Sequence, residues 1–235
     1  TTSLLKESIA DIPVIAGGYD ITFMPQILPN SDLDIICIGE GGDAIVELAD
    51  ALEAGKNFCD LDIHNLHIKL ADGSIKENKM RNWSMDLDTA PFDDRDIYWN
   101  KDPYFHIIPF TQVLAGRGCP YPCTYCFNEG YKQIHVAAGM KASDYTNFRS
   151  VDHVIEELKM LSEKYNARYF FFNDSTLTYN KPWILEFCDK YKCSGLKQSF
   201  SLNAVIPELT EEVCQALADT GKCQLIRFGL ETGNE

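Results

Sequence analysis

Ala115-Gly116-Arg117-Gly118-Cys119-Pro120-Tyr121-Pro122-Cys123-Thr124-Tyr125-Cys126-Phe127-Asn128 packs three of the chain's nine cysteines into eight residues, spaced C-x3-C-x2-C. An apolar, strand-like run over 107–115 leads straight into it. Three thiolates on one short loop can hold a metal centre but cannot complete it, because tetrahedral iron and zinc sites take four ligands. One coordination position is left open, and the rest of the chain has to say what fills it.

Downstream the rhythm is strand, helix, strand. Residues 129–149 are Gly-rich and polar and show no clear period. Ser150 can cap a helix over 151–165 that carries Val151, Val154, Ile155, Leu158 and Leu161 on one face. The run 167–172 reads as a second strand ended by Asn173-Asp174. A helix over 181–191 follows, with Pro182 tolerated in its first turn. Residues 198–202 form a third strand. Thr210 caps the next helix and Gly221 closes it. Residues 224–229 form the fourth strand, followed by Leu230-Glu231-Thr232-Gly233. Parallel strands joined by right-handed helical crossovers curve as part of a barrel, whose chemistry lies at the carboxyl ends of its strands. On this reading Cys119, Cys123 and Cys126, Asn173 and Asp174, Asn203 and Glu231 are expected to meet at one mouth.

Upstream, 4–9 reads as helix and 12–16 as a short strand ended by Gly17-Gly18. Residues 34–38 are a second apolar strand, buried on both faces if the run is taken literally. Gly39-Glu40-Gly41-Gly42 turns the chain into a helix over 43–52, with Ile45, Val46, Leu48, Ala49 and Leu52 at helical spacing. Strand, glycine turn and helix predict part of a doubly wound domain. Residues 66–70 alternate, and Asp72-Gly73 marks a hairpin. The expected class is α/β: a partial Rossmann-like domain over 1–58, a hairpin and linker over 59–106, and a partial (β/α) barrel over 107–235. The chain opens at Thr1 and stops just past a strand, which reads as a fragment cut at both ends. Gly39 to Ala44 also fits the loose dinucleotide pattern G-x-G-x-x-A, but Glu40 would set a negative charge beside a pyrophosphate.

Composition bounds the function. Hydrophobic residues make up 45% and charged residues 24%, as in ordinary globular domains. The net charge of −14 argues against a general electrostatic grip on nucleic acid. No apolar run approaches the roughly 18–20 residues of a membrane helix. An odd number of cysteines, scattered outside the loop, is no disulfide framework and fits a reducing, cytoplasmic setting.

The cysteine loop, with aromatic Tyr125 before its last cysteine and Arg117-Gly118-Cys119-Pro120-Tyr121 ahead of it, resembles the signature of the radical S-adenosylmethionine superfamily. The stretch from Phe228 to Glu235 strengthens the likeness. The first part, with Ala16-Gly17-Gly18 and the run from Ile38 to Gly42, resembles the carboxyl-terminal half of the cobalamin-binding domain that precedes the radical domain in one subgroup. The resemblance implies a 4Fe–4S cluster on Cys119, Cys123 and Cys126, with S-adenosylmethionine chelating the fourth iron. An electron from the cluster then cleaves the sulfonium, and the resulting 5′-deoxyadenosyl radical takes a hydrogen from a small-molecule substrate. It further implies Tyr125 and Phe127 against the adenine, Asp174 and Asn203 by the methionine moiety, and Glu231 by the ribose or amino group. Gly17, Gly18, Gly39, Glu40 and Gly41 would lie along cobalamin, which in such relatives delivers a methyl group. A reductant such as flavodoxin or ferredoxin is implied as partner. One departure stands out: many relatives carry an arginine two residues after Asn203, where this chain has Val205. Two other readings are carried. One is an enzyme that methylthiolates tRNA, which shares the Arg-Gly-Cys-Pro approach. The other is a non-catalytic module stabilised by zinc, with a cysteine such as Cys193 as fourth ligand.

Overall fold

The computed structural model describes residues 2–9, 12–81, 86–108, 110–231 and 233. In chain order its principal elements begin with α1 (Thr2–Ser8), β1 (Ile15–Ala16), α2 (Tyr19–Phe23), β2 (Ile35–Cys37) and α3 (Gly42–Glu53). The hairpin β3 (Leu66–Lys69) and β4 (Ile75–Glu77) follows, then the helical turns α4 (Asp96–Trp99) and α5 (Tyr104–Ile107). Next come β5 (Thr111–Val113), β6 (Gly116–Arg117), α6 (Phe127–Ala137) and β7 (Asn147–Phe148). The last part holds α7 (Val151–Tyr165), β8 (Tyr169–Phe172), α8 (Lys181–Cys193), β9 (Ser199–Asn203), α9 (Glu211–Asp219) and β10 (Cys223–Arg227). Two compact units result: Thr1–Ser84 with Tyr121–Asp144, and Met85–Pro120 with Tyr145–Glu235.

In the first unit the sheet order is β1-β2-β3-β4. β1 and β2 are parallel, and the hairpin adds antiparallel to β2, with Ile35 opposite Ile68 and Cys37 opposite Leu66. The hairpin expected between domains is thus part of this sheet. All three residues of β2 are buried, as its unbroken apolar run requires. Ile35 and Cys37 pack with Ala44, Leu48, Leu66 and Ile68 on one side, and Ile36 packs with Leu28 and Leu33 on the other. The helix α3 buries Ala44 and Leu48, whereas Ile45, Val46 and Leu52 of the expected apolar face are exposed.

In the second unit the sheet order is β10-β9-β8-β5, all parallel. Residues alternate between its two faces. Val113, Phe170, Phe172, Phe200 and Leu202 face the helices and pack with Leu158, Trp183, Phe187 and Val213. The caps read from sequence at Ser150 and Thr210 form, and the structure adds one at Asn180. Ser150 Oγ accepts from His153 N, Thr210 Oγ1 accepts from Val213 N, and Asn180 Oδ1 accepts from Trp183 N. Asn166 ends α7 in the left-handed region at φ 52°. The first barrel strand is shorter than the apolar run predicts. Residues 104–107 form a helical turn after Pro103, and the ladder begins only at Thr111.

Candidate functional site

The cysteine loop is reached through a second, smaller ladder. After β5 the chain continues into β6, which pairs antiparallel with β7 (Gly116 opposite Phe148, Arg117 opposite Asn147). Gly118 then takes φ 80°, and a Cβ there would lie 2.1 Å from the Tyr145 carbonyl oxygen. Only glycine fits both the conformation and the space. Cys119 follows at once. Cys123 and Cys126 belong to the stretch that packs with the first unit. There Cys126 N donates to Cys123 O at 3.1 Å, and Cys126 is the N-cap residue of α6. Asn128 Nδ2 lies 3.8 Å from Cys126 Sγ, within hydrogen-bonding reach of sulfur.

None of the three thiols is in a disulfide and all are partly exposed. Among the described residues no three His, Cys, Asp or Glu side chains are set to hold a single metal ion. A four-iron cluster makes no such demand, since it takes its thiolates on different irons. A set of three soft sulfur donors therefore fits an iron–sulfur cluster. The remaining cysteines differ in kind. Burial pushes Cys37 up to about 11 and Cys188 up to about 12, and Cys223 is likewise raised to about 11. Cys193, weighed as a zinc ligand, stands exposed at the end of α8.

Asp174 is 5% exposed and turned inward. Its Oδ1 accepts from Gly116 N at 2.7 Å and from Ala115 N at 3.1 Å, and its Oδ2 accepts from Ala115 N at 3.1 Å. Burial nevertheless outweighs these bonds and raises its pKa to about 7. Asn203 Nδ2 donates to the Asp174 main-chain oxygen at 2.8 Å, and the Asn203 carbonyl accepts from Leu177 N at 2.9 Å. These two expected ligand contacts are thus joined to each other and to the start of the cysteine loop. Asn173 is exposed at the end of β8, where its N donates to Val113 O. Glu231, beyond β10, is exposed with φ 61°. Tyr125 and Phe127 are 71% and 48% exposed.

The sequence reading passed over four features. Arg227 stands on the sheet face away from the helices, its guanidinium 3.6 Å over the Phe171 ring, opposite Asn203 in register. A cation ending a strand looks like any solvated arginine until the register is known. Glu208 gathers the loops after β8 and β9: its Oε2 accepts from Thr178 Oγ1 at 2.5 Å and from Thr176 Oγ1. In the first unit, buried Asn65 (φ 71°) donates through Nδ2 to Ile38 O at 2.7 Å and Glu40 O at 3.0 Å, holding the glycine loop after β2. Its positive φ is a conformation that asparagine tolerates. Finally, α6 forms where no period was seen, and packs Tyr131 against Tyr19 (4.8 Å) and His135 (4.7 Å). Phe127 meets Tyr19 at 4.4 Å.

Gly17 and Gly18 end β1, and Gly39, Glu40 and Gly41 end β2, so all five lie at the carboxyl ends of the parallel pair. Thr22 Oγ1 of α2 accepts from Gly39 N at 3.0 Å, tying the two loops together. Gly39 has φ 74°, and a Cβ would meet Met80 Sδ at 3.0 Å and His135 Cε1 at 3.2 Å. In the second unit a cavity of about 850 Å³ runs along the free edge of β5, walled by Phe92, Tyr98, Trp99 and Phe105 and reaching Gly116 and Asn173.

Residues 113–235, from β5 to the end of the chain, match the Radical SAM superfamily. The chain belongs to that superfamily. Radical SAM proteins use a 4Fe–4S cluster and S-adenosylmethionine, the chemistry that the three thiols fit. The chain is 27% identical over 233 residues to an uncharacterised methyltransferase of Pyrococcus horikoshii, covering 98% of this chain and 48% of that protein. Two solved structures share the fold. The radical S-adenosylmethionine methyltransferase TsrM of Kitasatospora setae, with cobalamin and a 4Fe–4S cluster bound, superposes with a TM-score of 0.71 at 16% identity, over 97% of this chain and 45% of that one. The cobalamin-dependent radical enzyme OxsB, with aqua-cobalamin and S-adenosylmethionine bound, gives 0.71 at 16% identity, over 98% and 32%. The radical SAM chain thus spans under half the length of these relatives. Its α/β architecture is theirs: a partial barrel preceded by part of a Rossmann-like domain. Among the described residues no helix is long and apolar enough to cross a membrane.

Proposed function

We propose that this chain is the cofactor-bearing part of a cobalamin-dependent radical S-adenosylmethionine methyltransferase acting on a small molecule. The observation that carries the reading is a pair of features on one chain. The C-x3-C-x2-C loop follows the first strand of a parallel sheet, and glycine-rich loops end a separate parallel strand pair. In this proposal Cys119, Cys123 and Cys126 hold the cluster, and Gly17, Gly18, Gly39, Glu40 and Gly41 border cobalamin. When bound, these groups supply an electron for reductive cleavage of the sulfonium and a transferable methyl group.

The chain's own residues bind and orient. In this reading Tyr125 and Phe127, both exposed, lie against an adenine, and exposed Glu231 meets a ribose or amino group. Arg227 is suited to the methionine carboxylate, replacing the arginine that Val205 does not provide. The Asn128 amide donates toward Cys126 Sγ, and bonds of that kind tune a cluster's potential. A small electron-transfer protein such as flavodoxin or ferredoxin is proposed as reductant.

The test is anaerobic reconstitution of the whole protein with iron and sulfide, then reduction and S-adenosylmethionine. We expect 5′-deoxyadenosine and a methylated product from wild type and neither from the triple Cys→Ala variant. Equal nucleoside release from both proteins rejects the cluster assignment. A full radical reaction with no cobalamin retained on gel filtration rejects the methyl-transfer part alone.

A further inference from the structure

We propose that Asp174, braced from behind by Asn203, positions the first cluster cysteine through the backbone that leads to it, and is not a contact to S-adenosylmethionine. The inference rests on the assignment of Cys119 as a cluster ligand and says how that ligand is held.

Three restraints act in series on the five residues from Ala115 to Cys119. The Asp174 carboxylate takes the amide hydrogens of Ala115 and Gly116, the latter at 2.7 Å. Gly116 and Arg117 are fixed by the ladder to Phe148 and Asn147. Gly118 is then pressed against the Tyr145 carbonyl with φ 80°. No step in this path leaves the chain free to swing before Cys119.

The carboxylate itself is committed. Both oxygens are engaged by backbone donors and the residue is 5% exposed, so neither oxygen is presented to a ligand. Its backbone is fixed in turn by Asn203, whose amide donates to the Asp174 carbonyl and whose own carbonyl is held by Leu177 N. The ends of β5, β8 and β9 are thereby tied in a line that finishes at the cysteine loop. When ionised, the carboxyl group offers only acceptors to these donors, whereas asparagine in the same volume would turn an NH2 group toward an N–H donor.

Two measurements on the whole protein test the proposal. The first uses the cluster-free protein and reads hydrogen exchange. In Asp174→Asn the amides of Ala115 and Gly116 should exchange at least about tenfold faster, with those of Val154 and Leu158 in α7 unchanged. Unchanged exchange at Ala115 and Gly116, or equal acceleration everywhere, overturns the idea.

The second uses reconstituted protein. Asp174→Asn should release iron to a chelator about tenfold faster than wild type and show a shifted electron paramagnetic resonance spectrum of the reduced cluster. Its response to added S-adenosylmethionine should persist. Asn203→Ala should give a smaller effect in the same direction. A variant with a wild-type spectrum and iron release but no response to S-adenosylmethionine would make Asp174 a ligand contact after all. Wild type that takes up no iron and sulfide rejects the cluster assignment, and with it this proposal, even if the exchange result holds.

Discussion

Asp174 carries a second consequence at the residue scale, through its proton. Its pKa rises from 3.8 to about 7 on folding, with burial as the leading cause. The folded chain therefore holds this proton more tightly than the unfolded chain. The stability it contributes is fully present below the unfolded value and is lost as pH rises toward about 7. The effect is at most about 4 kcal/mol. Thermal melts from pH 4 to pH 8 should show stability falling across this window for wild type, with a shallower fall in Asp174→Asn; identical slopes reject the assignment. Gly118 sets a harder limit. A Cβ would strike a main-chain oxygen at 2.1 Å in a left-handed conformation. Gly118→Ala should cost about 2–4 kcal/mol in urea unfolding. A loss under about 0.5 kcal/mol would mean that the loop has room that its geometry denies.

At the scale of elements, β5 is one edge of its sheet, and two arginines bond its outer carbonyls. Arg95 Nη2 donates to Gln112 O at 2.9 Å, and Arg149 Nη1 donates to Leu114 O at 3.0 Å. Glu157, 5% exposed, pairs closely with Arg149 and lies 3.9 Å from Arg95. Removing the carboxylate leaves buried positive charge without its counterion, so Glu157→Ala should cost about 3–5 kcal/mol. Denaturant melts that move by less than about 1 kcal/mol would show the edge held by other means. Elements with coincident signals could be read in advance. Helix α7 has its Ser150 cap and its apolar stripe side by side in the sequence, and α9 has its Thr210 cap and its closing Gly221. Helix α6 could not be read, because its buried side is Asn128, Tyr131 and His135. Those are polar or amphipathic residues that leave no hydrophobic period. Nor could the direction of Asp174 be read. An Asn-Asp pair after a strand has the same letters whether it faces a ligand or a backbone amide.

At the scale of the whole molecule, the α/β class and the cysteine motif were legible. The grouping of the chain depends on contacts between residues far apart in sequence. Residues 121–144 fall with the first unit because Tyr131 and His135 meet Tyr19 and Gly39 there. The charge of −14 belongs to this scale too. Filter binding with bulk tRNA at physiological salt should show no retention above background; tight retention would revive the tRNA-modifying reading. If the glycine loops border cobalamin, Gly39→Val should lower cobalamin retention at least about tenfold while iron uptake stays normal, since the side chain would collide with Met80 and His135. Equal retention in both proteins would move the cobalamin site elsewhere.

Two of the six cysteines outside the loop, Cys37 and Cys188, matter for what they decline to do. Cys37 and Cys188 are buried, and their raised pKa values keep them protonated at any pH where iron is offered. A protonated thiol is a poor nucleophile and a poor ligand. Alkylation of the metal-free protein near pH 8 should therefore mark the loop cysteines with exposed Cys193 and Cys214 first, and Cys37 and Cys188 only on unfolding. The fold acts as a chemical mask over these two thiols, which stray iron and sulfide, electrophiles and oxidants reach only when it opens.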